Sequence, residues 1–148
     1  MTIRGRRYSE VLVGQTFTES MHITEAHLSL GAALIGDFNP LHVDEAFARS
    51  SRFGSRILHG VITSAIIGAP AGMIFAGTAI GYLEHNCRFL GPVRAGDTLT
   101  TTWTVTALDP KPRHDGGIVH MQAQCMNQRG ERVADATGAM LVKDGEVA

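Results

Sequence analysis

Apolar and polar residues alternate along much of the second half of the chain. Leu99, Thr101, Trp103, Val105 and Ala107 alternate with a run of threonines, and Val119, Met121, Ala123 and Cys125 alternate with His120, Gln122 and Gln124. Period two marks a strand with one buried face. Residues 80–89 and 132–142 read as two further strands, with turns at Gly91-Pro92 and Asn127 to Gly130. Asp109-Pro110-Lys111-Pro112 is expected to break the threonine-rich strand. Nearer the N-terminus, Phe17, Glu19, Met21 and Ile23 alternate with Thr18, Ser20 and His22, which predicts a first strand.

The segment between these strands reads as helical. Thr24 sits where an N-cap belongs, Glu25 favours the helix dipole, and an amphipathic run continues to Gly36, a residue suited to the left-handed turn that ends a helix. Asp44 caps a short helix through Glu45, Ala46, Phe47 and Ala48. Gly60 opens a second major helix over residues 61–73, where Ala65, Gly68, Ala69, Ala71 and Gly72 allow close backbone approach. Pro70 is expected to kink or end it. One early strand, a helical block and then four meandering strands predict an α+β domain, a long antiparallel sheet wrapped around one helix. There is no internal repeat.

Composition narrows the function classes. A chain of 148 residues fits one domain, and a net charge of −1 with no Lys/Arg cluster larger than two or three makes nucleic acid a poor partner. No apolar run reaches membrane-spanning length. The basic stretch Met1 to Arg7 has no apolar region and cleavage site behind it, which argues against a signal peptide. Cys87 and Cys125 show neither metal spacing nor a disulfide framework, so a cytoplasmic protein is expected.

The candidate chemistry lies in Gly36-Asp37-Phe38-Asn39-Pro40-Leu41-His42-Val43-Asp44. Asp37 and His42 are held five positions apart on a short stretch that Asn39-Pro40 keeps from continuing the helix, so it is expected to be an irregular, proline-stiffened loop. The same residue types also make a good surface turn. A second candidate is the Gly60 N–H, which lacks an intrahelical partner at the positive end of its helix and could hold a developing oxyanion.

This loop, with Ile57-Leu58-His59-Gly60 and Arg88-Phe89-Leu90-Gly91-Pro92-Val93-Arg94-Ala95-Gly96-Asp97, resembles the MaoC-like dehydratases, the (R)-specific enoyl-CoA hydratases of the hotdog fold. The resemblance covers most of the chain and is weakest at the termini. It implies a single hotdog domain and a likeness in chemistry: reversible syn hydration of a trans-2-enoyl-CoA to an (R)-3-hydroxyacyl-CoA. Asp37 and His42 would be the acid–base pair and Gly60 N–H the oxyanion donor. Asn39 would stand at the substrate-binding site, more a loop brace than a reactant. No metal or redox cofactor is implied. The partners implied are an acyl-CoA substrate and a second copy of the chain, because a single hotdog leaves a sheet edge open to pairing.

Competing readings are a dehydratase of branched or dicarboxylic acyl-CoA or acyl-carrier-protein thioesters, a hotdog thioesterase, and a non-catalytic thioester-binding subunit. A thioesterase would use an acid on the central helix, and residues 61–73 contain no Asp or Glu. A non-catalytic module would not need both Asp37 and His42. One departure from the family is Ile35, where relatives often carry Ser or Thr; it reads as packing. Arg49, Arg52 and Arg56 are spread along a polar connection, where one could meet a phosphate of coenzyme A. His59 is assigned a structural hydrogen bond, and His22, His27, His85 and His114 no ligand role. Gly68 and Ala69 could make room for an acyl chain or only let helix and sheet pack.

Overall fold

The computed structural model describes residues 5–145, so Met1 to Arg4 of the basic N-terminal stretch lie outside the described residues. The chain runs through β1 (Thr16–His22), α1 (Glu25–Ile35), α2 (Pro40–Val43), α3 (Glu45–Ser50), α4 (Gly60–Ile74), β2 (Ala79–Phe89), β3 (Thr98–Lys111), β4 (Gly116–Met126) and β5 (Arg132–Lys143). The five strands form one sheet in the order β1-β3-β4-β5-β2, every pairing antiparallel. This is the expected α+β hotdog arrangement, with α4 packed against the sheet.

The strand order corrects the four-strand meander. β3, β4 and β5 do follow one another, but β2 lies on the far side of β5 and never touches β3 in the ladder. The alternation in β3 holds through Leu99, Thr101, Trp103 and Val105, all buried, and stops at a register shift that turns Ala107 outward. Pro110 does not break the strand, which continues to Lys111. β1 covers β3 only as far as Thr104, so Pro110 sits where one side of the ladder is already open, a position that tolerates a missing N–H.

Pro70 does not end α4 either; the helix continues to Ile74. Its missing N–H deprives the Ile66 carbonyl of its ordinary donor. Beside that gap the indole N–H of the fully buried Trp103 donates to the Ile67 carbonyl at 2.9 Å. The core between α4 and the sheet closes around Trp103, with Ile67, Phe75, Leu99, Met121 and Met140 all at most 2 % exposed. Among the described residues, no helix is long and apolar enough to cross a membrane. Cys87 and Cys125 are both unpaired thiols.

Candidate active site

α1 ends as its sequence predicts. Thr24 caps it, helped by the His27 ring, which accepts the Thr24 N–H at 3.0 Å, so His27 is a capping residue and not a bystander. Gly36 closes the helix at φ 73°, where a side chain would be strained, and its N–H donates to the Ala32 carbonyl. Ile35 is 40 % exposed, so the packing role expected of it is not met within this chain.

The segment after Gly36 is more regular than a loop. Asn39 caps α2, its side-chain oxygen accepting the Leu41 N–H at 3.1 Å, and Pro40 takes the first helical position, where no N–H is needed. Proline here starts a helical turn rather than preventing one. The carboxamide of Asn39 is thereby a brace. Asp44 in turn caps α3 by accepting the Phe47 N–H at 3.0 Å.

Asp37 and His42 converge across this turn. Asp37 Oδ1 accepts the Asn39 N–H at 3.1 Å, which leaves Oδ2 facing His42 Nε2 at 3.9 Å. His42 Nδ1 lies 2.8 Å from the Ile57 carbonyl oxygen. A carbonyl can only accept, so Nδ1 carries the proton and Nε2 of the neutral ring presents its lone pair toward Asp37. The gap of 3.9 Å is too long for a direct hydrogen bond and short enough for one water to contact both groups.

His59 is the hydrogen-bonded support expected of it, and more. Its Nε2 donates to the Asp37 carbonyl at 2.8 Å, and its ring stacks on His42 with centroids 3.8 Å apart. At 1 % exposure it ties both members of the pair to the start of α4. Nothing in the sequence signals that contact, because His59 is separated from Asp37 by a helix-containing excursion. Asp37, His42 and His59 offer donor atoms within 4.8 Å of one another, a grouping that could ligate a metal. However, the remaining nitrogen of His59 is enclosed without a partner beside Gly31 of α1. Asp37 and His42 are the pair left facing outward.

Gly60, the first residue of α4, borders a cleft of about 330 Å³ lined by His42, Arg52, Phe53, Phe89 and Leu90 among others. A side chain on Gly60 would stand 3.2 Å from the Phe89 ring, so glycine keeps this passage open. Of the three arginines nearby, Arg56 is bound to Glu25 and Glu45, and Arg49 pairs with Glu45 at 3.6 Å. Arg94 holds the intervening connection through Ser55 and the Phe53 carbonyl. Arg52 lies 5.1 Å above the Phe53 ring at the cleft, with no carboxylate partner among the described residues. The sequence left these arginines equivalent; the structure separates them.

Comparison with known proteins identifies the family and the fold. The family model for the MaoC like domain matches residues 10–124. An (R)-specific enoyl-CoA hydratase of Rhodospirillum rubrum is 36 % identical over 106 residues, covering 72 % of this chain and 74 % of that protein. One of Aeromonas caviae is 34 % identical over 131 residues, covering 88 % and 93 %. Among solved structures, the unliganded R-hydratase PhaJ1 of Pseudomonas aeruginosa superimposes with a TM-score of 0.83 at 33 % identity, covering 95 % of this chain and 88 % of that one. With its five-stranded sheet around α4 and its family match over most of its length, the chain belongs to the MaoC-like domain family.

Proposed function

We propose that this protein is a hydro-lyase that reversibly hydrates a trans-2-enoyl-CoA to an (R)-3-hydroxyacyl-CoA. Asp37 and His42 serve as its acid–base pair and Gly60 N–H as its oxyanion donor. The observation that carries the proposal is the water-sized gap between Asp37 Oδ2 and His42 Nε2 at the cleft that Gly60 borders. The thioester carbonyl accepts the Gly60 N–H, which draws electrons from the double bond and makes the β-carbon electrophilic. A water held between Asp37 and His42 attacks that carbon with its oxygen and gives one proton to the pair. The pair returns one proton to the α-carbon, so H and OH add from one face and the residues end as they began. The hydratase names of the relatives from Rhodospirillum rubrum and Aeromonas caviae support the same reaction. The thioesterase alternative lacks its acid, because α4 carries no carboxylate.

Loss of enone absorbance with crotonyl-CoA tests the reaction, and oxidation of the product by an (R)-specific 3-hydroxyacyl-CoA dehydrogenase tests its handedness. Absence of turnover with crotonyl-CoA and with longer or branched enoyl-CoAs would refute the proposal.

Arg52 is the arginine proposed to meet a phosphate of coenzyme A, supported by its place at the cleft and its free guanidinium. Arg52→Ala is expected to raise KM for crotonyl-CoA by roughly threefold to tenfold, as for one partly screened charge-assisted contact. KM for the crotonyl-pantetheine thioester should stay the same. Equal changes for the two thioesters would remove Arg52 from the phosphate site.

A homodimer belongs to the same proposal. Among the described residues β2 pairs only with β5, and its open edge carries Tyr82, Leu83 and Phe89 at 41–54 % exposure. Such an apolar edge favours pairing with a second copy. Light scattering should return a mass at least twice the 15.9 kDa of one chain, and a monomer would contradict it.

A further inference from the structure

From Glu84 to Phe89 the ladder between β2 and β5 runs without a register shift, so successive side chains alternate between the two faces of the sheet. His85, Cys87 and Phe89 face α4. Ser64 Oγ lies 2.8 Å from His85 Nε2 and also hydrogen-bonds Cys87, and the Phe89 ring lies 3.2 Å from where a Gly60 Cβ would be. Glu84, Asn86 and Arg88 therefore point to the outer face, where all three are exposed. Asp135, opposite Arg88 on β5, is paired with Arg132 instead. Neither Glu84 nor Arg88 has an ion-pair partner among the described residues. An acid, an amide and a base thus stand in a row along the open edge.

That row selects one register for a second copy. A two-fold axis normal to the sheet makes the added β2 antiparallel, and residues opposite each other in such a ladder point to the same face. The axis must therefore fall at a residue, not between two. At Glu84 or at Arg88 it sets like charges directly opposite each other, which is unfavourable. At His85 it sets Arg88 against Tyr82, beyond the register shift, and at Cys87 it sets Glu84 against Leu90, beyond the end of the strand. At Asn86 each Arg88 stands opposite the partner's Glu84, twice in the dimer. The next position brings Phe89 level with the partner's Leu83, and both are half-exposed apolar residues in the single chain.

We propose that two copies join through β2 about a two-fold axis at Asn86, with each Arg88 paired to the partner's Glu84 and the partner's Leu83 backing the Phe89 wall of the active-site cleft. The proposal rests on the homodimer and the hydratase function above and deepens both. Phe89 lines the cleft that Gly60 borders, so the wall that faces the substrate is complete only when the second copy covers its far side.

Sedimentation over a dilution series tests the charges. Glu84→Arg and Arg88→Glu each turn two attractive contacts into repulsive ones and are expected to raise the dimer dissociation constant by about ten- to a hundredfold. The combined variant, which exchanges the charges, should return to within about threefold of wild type. Unchanged single variants, or a combined variant as weak as the single ones, overturn the proposal. If the charge-reversed chains do not fold, a short bis-methanethiosulfonate cross-linker decides, used in a Cys87→Ser background to remove the native thiol of β2. Asn86→Cys should be captured as a covalent dimer, because its two copies lie about 4.5–5.5 Å apart at Cα. The two copies of Glu84→Cys lie four residues apart along the strand, about 14 Å, and should not be captured. Capture of Glu84→Cys, or of neither, overturns the register. Within the linked dimer, adding Leu83→Ala should lower kcat/KM for crotonyl-CoA a few-fold, and an unchanged value removes the partner from the cleft. A wild-type dimer that hydrates no enoyl thioester would overturn the hydratase function and leave the register standing; a wild-type monomer would overturn the homodimer, and this inference with it.

Discussion

Asp37→Asn and His42→Ala are each expected to lower kcat for crotonyl-CoA hydration by roughly 10²–10⁴-fold, the range for loss of a positioned acid or base. The fold should survive both changes. Asp37 is 48 % exposed at its side chain, and Asn at this position keeps an oxygen for the Asn39 N–H. His42→Ala removes a contact to the Ile57 carbonyl, but the Ile57 N–H still donates to Leu41 and ties the two segments together. Because both residues act on one water, the double variant should be little worse than the more damaging single one. His59→Gln provides the contrast, since a glutamine amide can still donate to the Asp37 carbonyl; it should retain most turnover. Near-complete loss in His59→Gln with the fold intact would move His59 from support to catalysis. Full activity in Asp37→Asn would remove the carboxylate from the mechanism.

The largest expected effect on stability is that of Trp103→Ala, about 3–5 kcal/mol, as for other large aromatic truncations in a closed core. Two losses coincide at this position. The indole is completely buried among residues of α4 and the sheet, and its N–H donates to the Ile67 carbonyl next to the proline of α4. Removing it opens a cavity and takes the indole donor from the Ile67 carbonyl, beside the turn where Pro70 lacks an N–H. Set against a typical net stability of about 5–15 kcal/mol, this is a large share. Denaturant unfolding should show a lower midpoint with little change in slope. Trp103→Phe, which keeps most of the apolar contact, should be clearly milder. Equal destabilisation by Phe and Ala would mean that the hydrogen bond, and not the packing, dominates.

Most helix boundaries were legible because capping chemistry is local. Thr24, Gly36, Asp44 and Gly60 stand where the sequence places them, and each acts within one turn of itself. The β3 alternation was legible for the same reason until the register shift after Val105 turned Ala107 out. Three prolines misled, Pro110 in a strand that runs on to Lys111 and two in the helical block in opposite ways. Pro70 was expected to disrupt a helix that tertiary contacts carry through, and Pro40 was expected to hold open a segment that it in fact starts as a helical turn. His85 gave no signal at all. Its partners Ser64 and Tyr82 depend on an irregularity in β2 that no alternation pattern records.

By itself the sequence determined the elements and placed Asp37 and His42 on one short segment, since caps, turns and alternation concern neighbours a few residues apart. The tertiary structure decided the rest. It put β2 beside β5, set His59 against both members of the pair, and bound Arg56 and Arg49 to carboxylates while leaving Arg52 at the cleft. Each of these outcomes joins elements distant in sequence, and which partner wins is settled by the packing of helix against sheet rather than by any local preference.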